Sequence, residues 1–140
     1  MSEEYSDLAE MTRARYQAAQ LPLRAVLERE RHLRARLAAL EQQHQSALSR
    51  LGSGLSDQRF YGGDVLWQGW IGRARRQLQM ELAQVLAEKG RHLRTLGLAH
   101  GRKLAAEGLT EAARQARKAK LEKWSMEREQ SLYLMGLWHS

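Results

Sequence analysis

Thirteen residues, Gly52-Ser-Gly-Leu-Ser-Asp-Gln-Arg-Phe-Tyr-Gly-Gly-Asp64, form the one clear interruption in this chain and hold four of its eleven glycines. On either side Ala, Leu, Arg, Glu, Gln and Lys dominate, side chains that lose little freedom on entering a helix. A helix over 3–51, a turn over 52–64 and a longer helix over 65–134 follow from that pattern. Asp64 is the candidate N-cap of the second helix, because its carboxylate can accept from the free amides of the next turn. The expected fold is all-α: an elongated antiparallel two-helix coiled-coil hairpin with a longer second helix, one domain spanning 1–140.

Composition narrows the function classes. Few β-branched residues and no alternating runs argue against a sheet. No stretch of about eighteen apolar residues is present and the N-terminus is acidic, which speaks against a membrane span or a signal peptide. The chain has no cysteine, so disulfides and thiolate metal sites are excluded and a reducing cytoplasm fits. A net charge of +7 favours acidic partners.

The first arm repeats at alternating spacings of three and four: Tyr5, Ala9, Thr12, Tyr16, Ala19, Leu23, Val26, Glu30, Leu33, Leu37, Leu40, His44, Ala47 and Leu51. That is the narrow stripe of a coiled coil. Pro22 falls inside it, predicting a kink or a helix that restarts there. The stripe of the second arm reads Trp67, Ile71, Ala74 or Arg75, Leu78, Leu82, Leu86, Lys89, Leu93, Leu96, His100 and Lys103. Gly90, Gly97, Gly101 and Gly108 either admit close backbone approach or loosen this arm, and the second reading is the simpler.

The two stripes match when read in opposite directions. Pairs with a constant sum of positions put Leu23 opposite Leu96, Val26 opposite Leu93, Leu33 opposite Leu86 and Leu37 opposite Leu82. The same register pairs the charges that break each stripe, Glu30 and Lys89. A polar pair in a seam contributes little stability but penalises other alignments, so these two are read as a register device. Nearer the turn the pairs are Leu40 with Leu78, Ala47 with Ile71 and Leu51 with Trp67. Tyr5 then faces about Arg114, and the second helix outruns the first. The overhang carries Arg117, Lys118, Lys120, Lys123 and Arg128 among Leu121, Trp124, Leu132, Tyr133 and Leu134, with an apolar tail ending in Leu137-Trp138-His139-Ser140.

Catalytic chemistry has no motif here. There is no phosphate loop, no His-Glu-x-x-His and no Gly-x-Ser-x-Gly. The five histidines lack ligand spacing, and a two-helix rod offers no cavity in which to shift a pKa. A non-enzymatic protein without metal, cofactor or small-molecule substrate is expected. Gly62 to Arg76 is the most distinctive segment. Trp67 and Trp70 either cap the seam or, beside Arg73, Arg75 and Arg76, form a protein-binding hot spot or a stacking surface for single-stranded nucleic acid.

A hairpin of this length, with a shorter first helix, an aromatic-rich turn exit and a basic C-terminal extension, resembles the flagellar type III export stalk family (FliJ). It is also similar to the equivalent stalk of virulence injectisomes. The resemblance implies a cytoplasmic stalk, peripheral at the inner face of the bacterial membrane. Its helix termini would enter a hexameric export ATPase and its turn side would face a membrane export gate, with export chaperones as further partners. It implies gate contacts at Trp67, Trp70, Ala74 and Gln77. A basic overhang also suits an acidic ring pore, which makes Arg13, Arg15, Arg114, Arg117, Lys118, Lys120 and Lys123 the candidate ATPase-ring contacts. Two alternatives stay open. One is a basic hairpin that binds nucleic acid, although its charge is spread along the chain instead of forming one patch. The other is a structural coiled coil that dimerises.

Overall fold

The computed structural model describes residues 2–52 and 58–138, with side chains described for 3–50 and 65–137. It is an all-α helical hairpin of two helices in close contact, α1 (Ser2–Gly52) and α2 (Gln58–Trp138). Both ends of α2 differ from expectation, the helix running on to Trp138 instead of about 134. α2 begins at Gln58, so Gly62, Gly63 and Asp64 lie inside the helix and Asp64 is not its N-cap. Helix propensity is a weak prior, and two glycines at roughly 1 kcal/mol each do not stop a long helix. α1 also runs through Pro22 without a restart. The ring removes the amide that would reach the Ala18 carbonyl, yet Pro22 is exposed and packed residues flank it on both sides, Thr12 before and Leu23 after. Residues 53–57 and the Leu51 side chain, which the expected turn and the Leu51–Trp67 pair involve, lie outside the described residues, as do His139 and Ser140.

Contacts gather in two units, one of residues 19–95 and one of 1–18 with 96–140. In the first, Val26, Leu33 and Leu40 of α1 interlock with Ile71, Leu78 and Val85 of α2, and Leu37, Trp67, Ala74 and Leu82 pack against them. The helices are antiparallel: Arg29 meets Glu88, Glu30 meets Lys89, and Glu41 meets Arg75 further toward the turn. Every described first-arm position expected in the seam is buried or half-buried.

The second arm deviates by one residue along part of its length. Val85 is buried while Leu86 is 39% exposed, and half-buried His92 takes the place expected for Leu93, which is 48% exposed. Leu33 therefore packs with Val85 in the core cluster, and Leu93 is not the buried partner of Val26. Both readings satisfy a three-and-four spacing between Leu78 and Lys89. The difference is which way the helix has turned by the time it meets α1, and a larger apolar side chain does not decide that.

The other unit has a leaner seam. Ala9, Thr12 and Ala106 are its buried residues, all small, so the apolar area removed from water per turn is less than around Ile71. Polar groups there are satisfied locally. The Thr12 hydroxyl donates to the Leu8 and Ala9 carbonyls at 2.9 and 3.0 Å. The Thr110 hydroxyl reaches the Tyr5 carbonyl at 3.1 Å and the Ala106 carbonyl at 2.9 Å. Tyr5 thus sits a turn short of the expected Arg114. Half-buried Ala99 takes the seam place expected for His100, which is exposed yet rests against Tyr16 with ring centres 5.2 Å apart.

This packing makes the two kinds of α2 position separable. Ile71→Ala should cost about 2–5 kcal/mol, as deletions in a close-packed core do. Leu86→Ala should cost less than half as much. Urea unfolding followed by far-UV circular dichroism compares them; equal losses would return Leu86 to the seam.

Candidate binding surfaces

Glu30 and Lys89 meet as the opposed stripes require. Glu30 is 8% exposed, and its carboxylate accepts from Lys89 Nζ at 3.0 and 3.3 Å. Arg34, one turn along α1, donates to the same carboxylate from Nη2 and Nε at 3.1 and 3.3 Å. The Lys89 hydrogen bond, then that from Arg34, holds the Glu30 carboxyl below its ordinary value. Glu30 and Lys89 thus close on one another inside an apolar stripe while exposed Arg34 reaches in from its edge, and no catalytic role is needed to explain them.

The four residues expected to contact a gate divide into two pairs. Trp67 is half-buried and stacks on His44, with ring centres 6.0 Å apart and planes 13° from parallel. Ala74 packs against the core. Those two belong to the seam. Trp70, 52% exposed, and Gln77, which donates to Glu81 at 3.2 Å, lie at its edge. Val65 and Leu66 are still more exposed than Trp70. From Val65 to Met80 the chain carries Arg73, Arg75 and Arg76 and no acidic residue, and Arg75 is drawn to Glu41 at 2.6 Å.

The seven basic residues assigned to a ring also separate. Arg13 lies 3.9 Å from Glu107, and Arg15 is exposed. Arg114 is committed to Glu111, donating from Nη2 at 2.8 Å and Nε at 3.0 Å. Arg114, helped by Gln115, pulls the Glu111 carboxyl down to about 2. Arg117, Lys118, Lys120 and Lys123 stand on the overhang, where every residue from Arg114 to Leu137 is exposed. Leu121 and Trp124 lie beside them at 58% and 61% exposure, in a shallow concavity rimmed by Arg117, Lys120, Lys123 and Glu127. The Arg128 guanidinium rests over the Trp124 ring at 5.7 Å, a contact of the cation–π kind.

Among the described residues, no group of three or more His, Cys, Asp or Glu could hold a metal ion. No helix in them is long and apolar enough to cross a membrane. The chain matches no family model, no curated protein and no solved structure.

The lowered Glu30 carboxyl fixes the sign of a pH effect. Its folded value lies below the ordinary 4.5, so its contribution is fully present above that pH and fades as the pH falls through the folded value. Wild-type stability should decline over that acid range more steeply than that of Glu30→Gln, read as urea midpoints across a pH series. Parallel pH profiles would mean that the pair adds nothing to folding.

Proposed function

We propose that this chain is the non-enzymatic coiled-coil stalk of a type III export ATPase complex, in the manner of the flagellar export stalk family. The single observation that carries the reading is the overhang of α2: burial ends at Ala113, while the helix continues to Trp138 with basic and apolar residues exposed. A single helix leaving a hairpin is narrow enough to enter a ring, and Arg117, Lys118, Lys120 and Lys123 supply attraction to an acidic pore. The same features support a cytoplasmic location at the inner face of the membrane, held there by protein contacts.

On this reading the ring contacts are Arg117, Lys118, Lys120 and Lys123, with Arg15 from α1. Arg13 and Arg114 contribute less, because each already faces a carboxylate of its own unit. At the turn side Trp70 and Gln77 touch the gate directly, whereas Trp67 and Ala74 shape the hairpin beneath them.

Two measurements test the assignment. Added to a hexameric export ATPase, the chain should bind and raise the hydrolysis rate. Reversing Arg117, Lys120 and Lys123 to Glu should weaken binding by about tenfold or more without loss of helicity. No binding at low salt, or a salt-dependent shift of single-stranded DNA in its place, would overturn the stalk reading. At the turn side, Trp70→Ala should abolish gate capture at unchanged stability, while Trp67→Ala should lower the urea midpoint; the reverse pattern would exchange their roles.

A further inference from the structure

The overhang has a complement elsewhere on the chain. The first turns of α1 carry Glu3, Glu4, Asp7 and Glu10, with no basic residue before Arg13. Tyr5, Ala9 and Thr12 face α2, which leaves Glu4, Leu8, Met11 and Arg15 on an adjoining exposed face, with Leu8 39% and Met11 51% exposed. Those four residues are spaced by four, three and four. On the overhang, Arg117, Leu121, Trp124 and Arg128 repeat the same spacing. Laid side by side in parallel, the faces match layer by layer: Glu4 with Arg117, Leu8 with Leu121, Met11 with Trp124. Asp7 and Glu10 add negative charge beside one face and Lys120 and Lys123 positive charge beside the other, where Glu127 is the acidic exception. The match ends at Arg15 and Arg128, where like charges meet and Arg128 is already turned back onto Trp124.

Within one molecule these faces do not meet. Tyr5 lies beside Thr110, and Arg117 is seven residues further along α2, about 10 Å at the helical rise. A second copy brings them together. With the two α1 helices placed N-terminus to N-terminus, each overhang continues its own seam onto the α1 of the other copy. Both overhangs are covered at once by one two-fold operation, which is the closed, isologous arrangement most soluble dimers adopt. An ion-pair layer followed by two apolar layers is also how a short parallel helix pair fixes its register.

We propose that the free protein is a two-fold dimer in which the Arg117–Trp124 face of each overhang covers the Glu4–Met11 face of the other copy's α1. The dimer hides the surface that the stalk reading assigns to a ring. It is nevertheless measured on the chain alone, so it stands or falls without any ATPase.

Sedimentation of the full chain should show a monomer–dimer equilibrium that weakens with salt. Glu4→Arg and Arg117→Glu, both at exposed positions, should each weaken the dimer by about tenfold or more, and the double variant should recover most of it. Because the chain has no cysteine, Leu8→Cys with Leu121→Cys should give a disulfide-linked dimer under mild oxidation. Far-UV circular dichroism confirms that each variant is folded. A monomer at every concentration would overturn the proposal. So would a dimer indifferent to both charge reversals and not cross-linked by the cysteine pair, since it would use another face.

Discussion

The hairpin depends on one polar layer inside an apolar seam. A carboxylate as shielded as that of Glu30 is costly unless cations close on it. Lys89 from the opposite helix and Arg34 from its own do so within 3.3 Å. Sliding α2 by one heptad would leave Glu30 opposite Leu82 or Leu96 and Lys89 opposite Leu23 or Leu37. Leucines alone tolerate such a slip, because one apolar layer resembles the next. The charged layer selects a single alignment, and the packing of Val26, Leu33, Ile71, Leu78 and Val85 supplies the free energy that holds it.

Much of this was legible from residue spacing. The α1 seam followed from a three-and-four repeat sustained over its whole length, although Leu8, Met11, Leu27 and Leu48 stand beside seam positions as apolar competitors. α2 was harder. Leu86 and Leu93 compete with Val85 and His92 for the same layers, and hydropathy favours the leucines. The structure chooses the others because orientation toward α1, accumulated turn by turn from Ile71, outranks side-chain size. Asp64 misled for a related reason. It has the chemistry of a cap, but a helix that already includes Gln58 leaves it no free amides to cap. Among the candidate contacts, the Trp67–Trp70 distinction was not readable, since three residues of separation place both near the seam and only the partner helix decides which is covered by His44.

The two ends of α2 present different kinds of surface. Near the turn, Trp70, Val65 and Leu66 are exposed on a segment still tied to α1 through Trp67 and Ile71, so a partner there meets a preformed face. From Arg114 to Leu137 the helix is exposed, and exposure of Leu121 and Trp124 keeps apolar area in water that any occupant would bury. The second copy and the acidic ring proposed above would draw on the same charges in that region. Whichever bound first would exclude the other, so association of the free chain would set a threshold for a ring to exceed in order to engage the overhang.

The glycines of α2 bear on how that overhang is held. A Cβ placed at Gly90, Gly97, Gly101 or Gly108 would meet no atom within 4 Å. Close approach between α1 and α2 therefore does not require them, and the hairpin gains no packing from their small size. What they do contribute is a weaker helix, by roughly 1 kcal/mol each relative to Ala. Three of them lie between Leu96 and Ala113, in the unit whose lean seam is Ala9, Thr12 and Ala106, where burial compensates least. Helical order on the overhang side thus gains less from contacts with α1 than the turns around Ile71 do. An occupant that covers Leu121 and Trp124 would stabilise the glycine-bearing turns behind them as well, because a helix propagates from an ordered segment far more readily than it nucleates.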